Sequence, residues 1–147
     1  MHLVAASIAA DRHHSLAAGG GLSFIRTANH MRTIAIVEDD PSMLKSLTRL
    51  LATHGFRVLT FTSAESFLAD AAGCQAKCLL VDVHLGGISG IEMKRRLTSS
   101  GSDFPVIFMT AIDSKTSRRE AFEAGCVAYL RKPFMSKLLI DAIESLP

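Results

Sequence analysis

Short apolar runs alternate with amphipathic segments along most of this chain. The runs at 34–37, 56–60, 78–85, 106–109 and 127–130 are bounded by turn residues, which is typical of buried strands. Between them, apolar residues recur every three or four positions, as on the buried stripe of a helix. Five strand-and-helix units in alternation predict an α/β fold, in which a doubly wound parallel sheet carries helices on both faces.

Capping residues mark where several of these helices begin. Asp40, Ser63 and Ser136 are predicted N-caps of the first, second and last helix, because a short oxygen-bearing side chain can accept a free backbone N–H. The fourth helix is mostly polar, and we expect its inward contacts to come from Ala121 and Phe122. A polar helix with so few anchors should move more easily than its neighbours.

Polar residues with chemical potential follow four of the predicted strands. Asp82 lies near the end of the third run, the acids of 38–40 follow the first, Thr110 follows the fourth and Lys132 follows the fifth. Strand ends of a parallel sheet share one edge, where α/β proteins place their sites. This edge would combine carboxylates for a hard divalent ion with a hydroxyl and an ammonium for an oxyanion. The simpler alternative for Asp82 is a strand-end residue that caps the next turn.

Composition narrows the function further. The chain has 147 residues and a formal net charge of +2, without a stripe of Lys and Arg, so we expect no direct contact with nucleic acid. Its three cysteines lack Cys-x-x-Cys spacing, and Cys78 and Cys126 are most simply small buried hydrophobes in a reducing cytoplasm. No apolar stretch is long enough to cross a membrane, and the first residues do not resemble a signal peptide.

Residues 1–30 differ from the remainder. They are rich in Ala, Gly, Ser and His and show no strong period, so they are either a disordered arm or an over-long gene start upstream of Met31. Their histidines follow no ligand spacing. We expect one domain at 31–147.

The motifs from Met31 to the end resemble the receiver domain of bacterial two-component response regulators. The resemblance covers the acids of 38–40, Leu80-Val81-Asp82-Val83, Gly90 with Glu92, Met109-Thr110-Ala111 and the stretch 124–134. The sequences of 61–65 and of Lys132-Pro133-Phe134 are similar to those of the nitrogen-fixation type of regulator. The resemblance implies a flavodoxin-like, five-stranded parallel sheet of order 2-1-3-4-5 with five helices.

The resemblance also implies roles for individual residues. Asp82 would accept a phosphoryl group from a phosphohistidine of a partner kinase or histidine phosphotransfer protein. Mg²⁺ would be held by Asp39, Asp40, Asp82 and the backbone carbonyl of His84. Lys132 and Thr110 would each contact a phosphoryl oxygen, and the Lys132–Pro133 bond would be cis. Thr110 and Tyr129 would form a switch that alters the face presented to a downstream partner.

The loop after Asp82 departs from the family pattern. It reads His84-Leu85-Gly86-Gly87, where the family usually has a Pro before a Gly. In the family that this chain resembles, the position of His84 lies near the route of the water that hydrolyses the phosphoryl group. It would orient that water, block it, or simply point to solvent.

Several functions are compatible with these motifs. We expect a stand-alone receiver in a phosphorelay, cytoplasmic, either monomeric or a weak phosphorylation-dependent homodimer, that switches a protein-interaction face. An alternative is the receiver portion of a transcription factor whose DNA-binding domain is missing, and another is an interaction module that works unphosphorylated. An aspartyl-phosphate phosphatase would need a second carboxylate where His84 stands, so we expect no enzyme beyond self-phosphorylation and autodephosphorylation.

Overall fold

The computed structural model describes residues 32–147, so the predicted arm at 1–30 lies outside the described residues. Within 32–147, strands and helices alternate as the sequence predicts. The strands are β1 (Thr33–Val37), β2 (Arg57–Phe61), β3 (Cys78–Asp82), β4 (Val106–Thr110) and β5 (Ala128–Arg131). The α-helices are α1 (Pro41–Thr53), α2 (Ala64–Asp70), α3 (Gly90–Ser99), α4 (Lys115–Glu123) and α5 (Ser136–Glu144).

The five strands form one parallel sheet in the order β2-β1-β3-β4-β5. This confirms the predicted strand order and fold class. The order reverses at β1, so β1 and β3 lie side by side at the centre of the sheet. Their carboxyl ends therefore meet at the point where open α/β sheets bind ligands.

Each face of the sheet carries its own apolar core because side chains alternate along a strand. On one face, Ile34 and Ile36 of β1 pack with residues of α1 and α5. On the other, Ala35 and Val37 pack with residues of α2, α3 and α4. Strands β3 and β4 are buried along their whole length, which explains their continuous apolar runs.

Some local expectations hold and others do not. Asp40 and Ser63 cap their helices as predicted, whereas α5 follows Met135 without a side-chain cap, so the predicted cap by Ser136 is wrong. Ala121 of α4 is fully buried, but Phe122 of the same helix is 54% exposed and does not point inward. Among residues 32–147, no helix combines the length and apolar character needed to cross a bilayer.

Candidate functional site

Three carboxylates converge where β1 and β3 end. Glu38 and Asp39 directly follow β1, and Asp82 is the last residue of β3. Each of these side chains offers one oxygen that lies within 4.8 Å of the others. Glu38 and Asp82 are buried while Asp39 is exposed, so the cluster opens to solvent on one side. The parallel register of β1 and β3 produces this convergence, since it places both strand ends at the same edge.

Asp40, the other predicted metal ligand of this segment, lies outside the cluster. Its carboxylate oxygen accepts the backbone N–H of Ser42 at 3.1 Å and caps α1. Pro41 at the first helical position fixes where the helix starts and so directs Asp40 to its N-terminus. Glu38 takes the third position in the cluster instead, and its Oε2 accepts the N–H of Asp40 at 3.1 Å.

Lys132 inserts its ammonium between two of the acids. Its Nζ donates to Glu38 Oε1 at 2.7 Å and to Asp82 Oδ2 at 3.0 Å. The Lys132–Pro133 peptide bond at the end of β5 is cis, as the family resemblance implies. Three carboxylates and one ammonium leave a formal balance of −2, which suits a divalent cation.

Burial and ion pairing shift the pKa values of Glu38 and Lys132. Desolvation raises the pKa of Glu38 above its usual value, against the lowering effect of the Lys132 hydrogen bond. Burial by itself lowers the pKa of Lys132, but the hydrogen bonds to Glu38 and Asp82 and the charges of these two acids together outweigh it, and the pKa is raised. Lys132 therefore stays cationic at neutral pH and keeps an oxyanion-binding charge beside Asp82.

Thr110 is fully buried at the end of β4, on the neighbouring strand. Its hydroxyl donates to the carbonyl of Ile112 at 2.8 Å and accepts the N–H of the same residue at 3.0 Å. Both bonds tie the hydroxyl to the loop that leads into α4. Thr110 thus lies at the same sheet edge as Asp82, while its hydroxyl is hydrogen-bonded to this loop.

Tyr129 on β5 is held toward the surface by side chains around α4. Its hydroxyl donates to Asp113 Oδ1 at 3.2 Å, and the Arg118 guanidinium donates to Asp113 Oδ2 at 2.6 Å. The guanidinium carbon also lies 5.1 Å from the centre of the Tyr129 ring, and the Phe122 ring is 6.3 Å away. Sequence analysis did not identify Asp113 or Arg118, because their role depends on how α4 folds against β5.

The segment from 83 to 89 connects Asp82 to α3 and lines the open side of the cluster. The His84 N–H donates to Asp82 Oδ1 at 2.9 Å, while the His84 side chain is exposed. The helix α3 begins so close to β3 that a Cβ at Gly90 would collide with the Asp82 carbonyl. Glu65 of α2 also reaches this segment, which no sequence pattern indicated.

The arrangement can bind a hard cation and an oxyanion side by side. Carboxylate oxygens are the ligands that Mg²⁺ and Ca²⁺ prefer, and a small open cluster leaves room for water and substrate oxygens. Lys132 supplies a positive charge at the same point, next to the carboxylate of Asp82. Such a site suits transfer of a phosphoryl group to a carboxylate, where the protein positions groups and balances charge.

Comparisons with known proteins match this chain to one protein family. Residues 34–144 match the family described as response regulator receiver domain. The transcriptional regulatory protein FixJ of Bradyrhizobium diazoefficiens is 37% identical over 112 residues, 76% of this chain and 55% of that protein. The response regulator protein TmoT of Ectopseudomonas mendocina is 34% identical over 112 residues, 76% of this chain and 51% of TmoT.

Solved structures agree with the fold. The crystal structure of FixJ-N has a TM-score of 0.73 and 35% identity, covering 77% of this chain and 90% of that one. The BeF3-activated DrrB receiver domain has a TM-score of 0.70 and 32% identity, covering 78% of this chain and 95% of that one. The chain spans only about half the length of the curated relatives it matches.

Proposed function

We propose a function that starts from the family: the chain belongs to the response regulator receiver domain family, and Asp82 is its phosphoryl acceptor in two-component signalling. The observation that carries this proposal is the position of Asp82 at the end of β3, bonded to Lys132 and grouped with Glu38 and Asp39. The phosphoryl donor would be a phosphohistidine of a sensor kinase or of a histidine phosphotransfer protein.

In the proposed reaction, a carboxylate oxygen of Asp82 attacks phosphorus in line with the leaving group. The bond from phosphorus to the imidazole nitrogen of the donor breaks as the new phosphorus–oxygen bond forms, and the imidazole takes up a proton. Lys132 pairs with one phosphoryl oxygen, and Thr110 can bond another once its hydroxyl leaves Ile112. Receiver domains are not ordinary enzymes, and we propose only self-phosphorylation and autodephosphorylation for this one.

We further propose that the carboxylate cluster holds Mg²⁺. Glu38, Asp39 and Asp82 supply the oxygens that lie close together, and the backbone carbonyl of His84 is a further proposed ligand. Asp40 is not included, because its carboxylate caps α1. When bound, Mg²⁺ neutralises charge between the acids and the incoming phosphoryl oxygens.

The output is proposed to be a switch between two conformations. Movement of the Thr110 hydroxyl from Ile112 toward a phosphoryl oxygen would release the loop before α4 and open space for Tyr129. Tyr129 would then leave Asp113 and turn inward, which changes the surface formed by α4 and β5. A free-energy bias of a few kcal/mol between two pre-existing states is sufficient for such a switch.

The partner of that surface is proposed to be a downstream protein, with the chain acting in the cytoplasm as a monomer or a weak phosphorylation-dependent homodimer. A second candidate is the receiver portion of a transcriptional regulator. The relatives that favour it are about twice as long as the matched segment, and two of them, FixJ and TdiR of Thauera aromatica, are named as transcriptional regulatory proteins. A longer reading frame with a DNA-binding domain would select this second function.

The test is intact-mass measurement after incubation with acetyl phosphate, with and without Mg²⁺. We expect one added phosphoryl group on the wild type with Mg²⁺, little or none without it, and none on Asp82→Asn. An equal gain on Asp82→Asn would reject Asp82 as acceptor. No gain on folded, Mg²⁺-loaded wild type would favour a module that works unphosphorylated.

A further inference from the structure

The segment between Asp82 and α3 is held by three carboxylates, each through a backbone N–H. Asp82 accepts from His84, Asp39 accepts from Gly86 at 3.2 Å, and Glu65 accepts from Ile88 at 3.1 Å. Asp82 and Asp39 belong to the proposed Mg²⁺ site. Glu65 lies on a different element, at the first turn of α2, and none of the proposed chemistry uses it.

The contact with Glu65 depends on a glycine beside it. Gly87 has a φ of +92°, in the region that L side chains rarely adopt, and a Cβ there would lie 2.6 Å from Glu65 Oε2. Any larger residue would displace the carboxylate from the Ile88 N–H. The hydrogen bond from the Ile88 N–H is the largest of the effects that lower the pKa of Glu65. Glu65 is therefore ionised at neutral pH.

The contact with Asp39 depends on the neighbouring residue. The Gly86 N–H donates to Asp39 Oδ2, and a proline at this position would have no N–H to give. A Cβ at Gly86 meets only Asp39 Oδ2, at 3.9 Å, so alanine fits without displacing the carboxylate. The bond to Asp39 therefore needs the backbone donor at this position and does not need glycine itself.

We propose that Glu65 is a positioning residue for the metal site. It fixes the Ile88 N–H, which holds the flexible Gly86-Gly87 segment in one conformation, and the Gly86 N–H then keeps the Asp39 carboxylate turned toward Glu38 and Asp82. This inference rests on the proposed Mg²⁺ site but assigns a role to a residue outside it. It gives Gly87 a purpose, because a glycine there leaves room for the Glu65 carboxylate, and it requires only a backbone N–H at position 86.

The first test measures the Mg²⁺ dissociation constant by isothermal titration calorimetry, which requires no phosphorylation. Glu65→Ala should weaken Mg²⁺ binding on the order of three- to tenfold, the typical effect of losing one hydrogen bond. Glu65→Gln should recover most of the affinity because its amide oxygen still accepts the Ile88 N–H. Glu92→Ala is the matched control, since Glu92 is also an acid in a first helical turn but bonds Arg96.

A second pair of variants tests the route through Asp39. Gly86→Ala should bind Mg²⁺ like the wild type, and Gly86→Pro should bind more weakly. Glu65→Ala should then add little in the Gly86→Pro background, because both changes release the same carboxylate. Thermal melts of every variant distinguish weaker binding from loss of fold.

Two outcomes would overturn the inference and leave the proposed function intact. One is an affinity of Glu65→Ala equal to that of Glu92→Ala, and the other is full additivity of Glu65→Ala with Gly86→Pro. If the folded wild type itself does not bind Mg²⁺, the failure lies with the proposed metal site.

Discussion

Asp39 and Asp40 are adjacent residues of the same type, yet their backbone positions give their carboxylates different tasks. Asp39 follows the end of β1 and faces the cluster with Glu38 and Asp82. Asp40 has extended backbone angles (φ −83°, ψ 115°) and places its oxygen over the first N–H groups of α1. Asp40 was predicted both to cap this helix and to bind metal. The structure shows the cap, and we propose Asp39 rather than Asp40 as the metal ligand.

This division predicts different effects for the same substitution at the two positions. Asp39→Asn should weaken Mg²⁺ binding at least about tenfold, because a charged ligand near other acids is lost. Asp40→Asn should leave Mg²⁺ affinity and stability close to wild type, since Asn is also a good N-cap. Calorimetric titration measures the first property, and equal Mg²⁺ affinities for the two variants would contradict the assignment.

Asp40→Ala separates the capping role from the charge. Loss of the bond to the Ser42 N–H should lower the free energy of unfolding by about 0.5–2 kcal/mol, the usual cost of removing a cap. Mg²⁺ affinity should remain near that of the wild type. Urea denaturation and the same titration give the two numbers, and unchanged stability would argue against the cap.

At the scale of elements, α4 and β5 form the part of the structure best suited to change shape. Helix α4 buries only Ala121 completely, and its other apolar residue, Phe122, lies on the surface beside Tyr129. The outward position of Tyr129 is held by Asp113 and Arg118. Phe122 was predicted to point inward because it is one of the few apolar residues of this helix. The sequence alone did not show that its ring would lie beside Tyr129 of β5.

These contacts predict that removing Asp113 favours the inward position of Tyr129. Asp113→Ala should increase the rate of phosphorylation by acetyl phosphate about two- to tenfold, because one hydrogen bond of the outward state is lost. The exposed loop residue Asp103 provides a control, and Asp103→Ala should behave like the wild type. A rate for Asp113→Ala that is equal to or below the control rate would exclude a restraining role for this residue.

Tyr129 can report its own environment. It is the only tyrosine of a chain that has no tryptophan, so the protein's tyrosine emission comes from this position. A carboxylate hydrogen-bonded to the phenol quenches its emission by accepting a proton in the excited state. Arg118 holds the pKa of Asp113 below its usual value, so Asp113 is ionised at neutral pH and Asp113→Ala should increase the emission.

At the scale of the whole molecule, the sheet separates two apolar cores, and the carboxyl ends of its parallel strands lie at one edge. Leu80 of β3 is fully buried between β1 and β4, whereas Leu59 of the edge strand β2 is 42% exposed. Leu80→Ala should lower the free energy of unfolding by about 2–5 kcal/mol, and Leu59→Ala by about 1 kcal/mol or less. Urea denaturation measures both, and similar losses would contradict the assignment of the core.

Much of this architecture was predictable because β3 and β4 are continuous apolar runs whose ends carry Asp82 and Thr110. The alternation of elements and the strand order followed from the same pattern and from the family resemblance. The contact from Glu65 to Ile88 was not predictable, since it joins residues 23 positions apart and depends on how α2 packs beside the loop. Side-chain contacts between elements arise only once the helices are docked.

The central claim is that Asp82 alone becomes phosphorylated. Borohydride reduces an aspartyl phosphate to homoserine, which marks the acceptor permanently for peptide mass spectrometry. After incubation with acetyl phosphate and Mg²⁺, we predict homoserine at position 82 and unmodified residues at Glu38, Asp39 and Asp40. Reduction at one of those three acids, or at no position in a folded protein that binds Mg²⁺, would contradict the account.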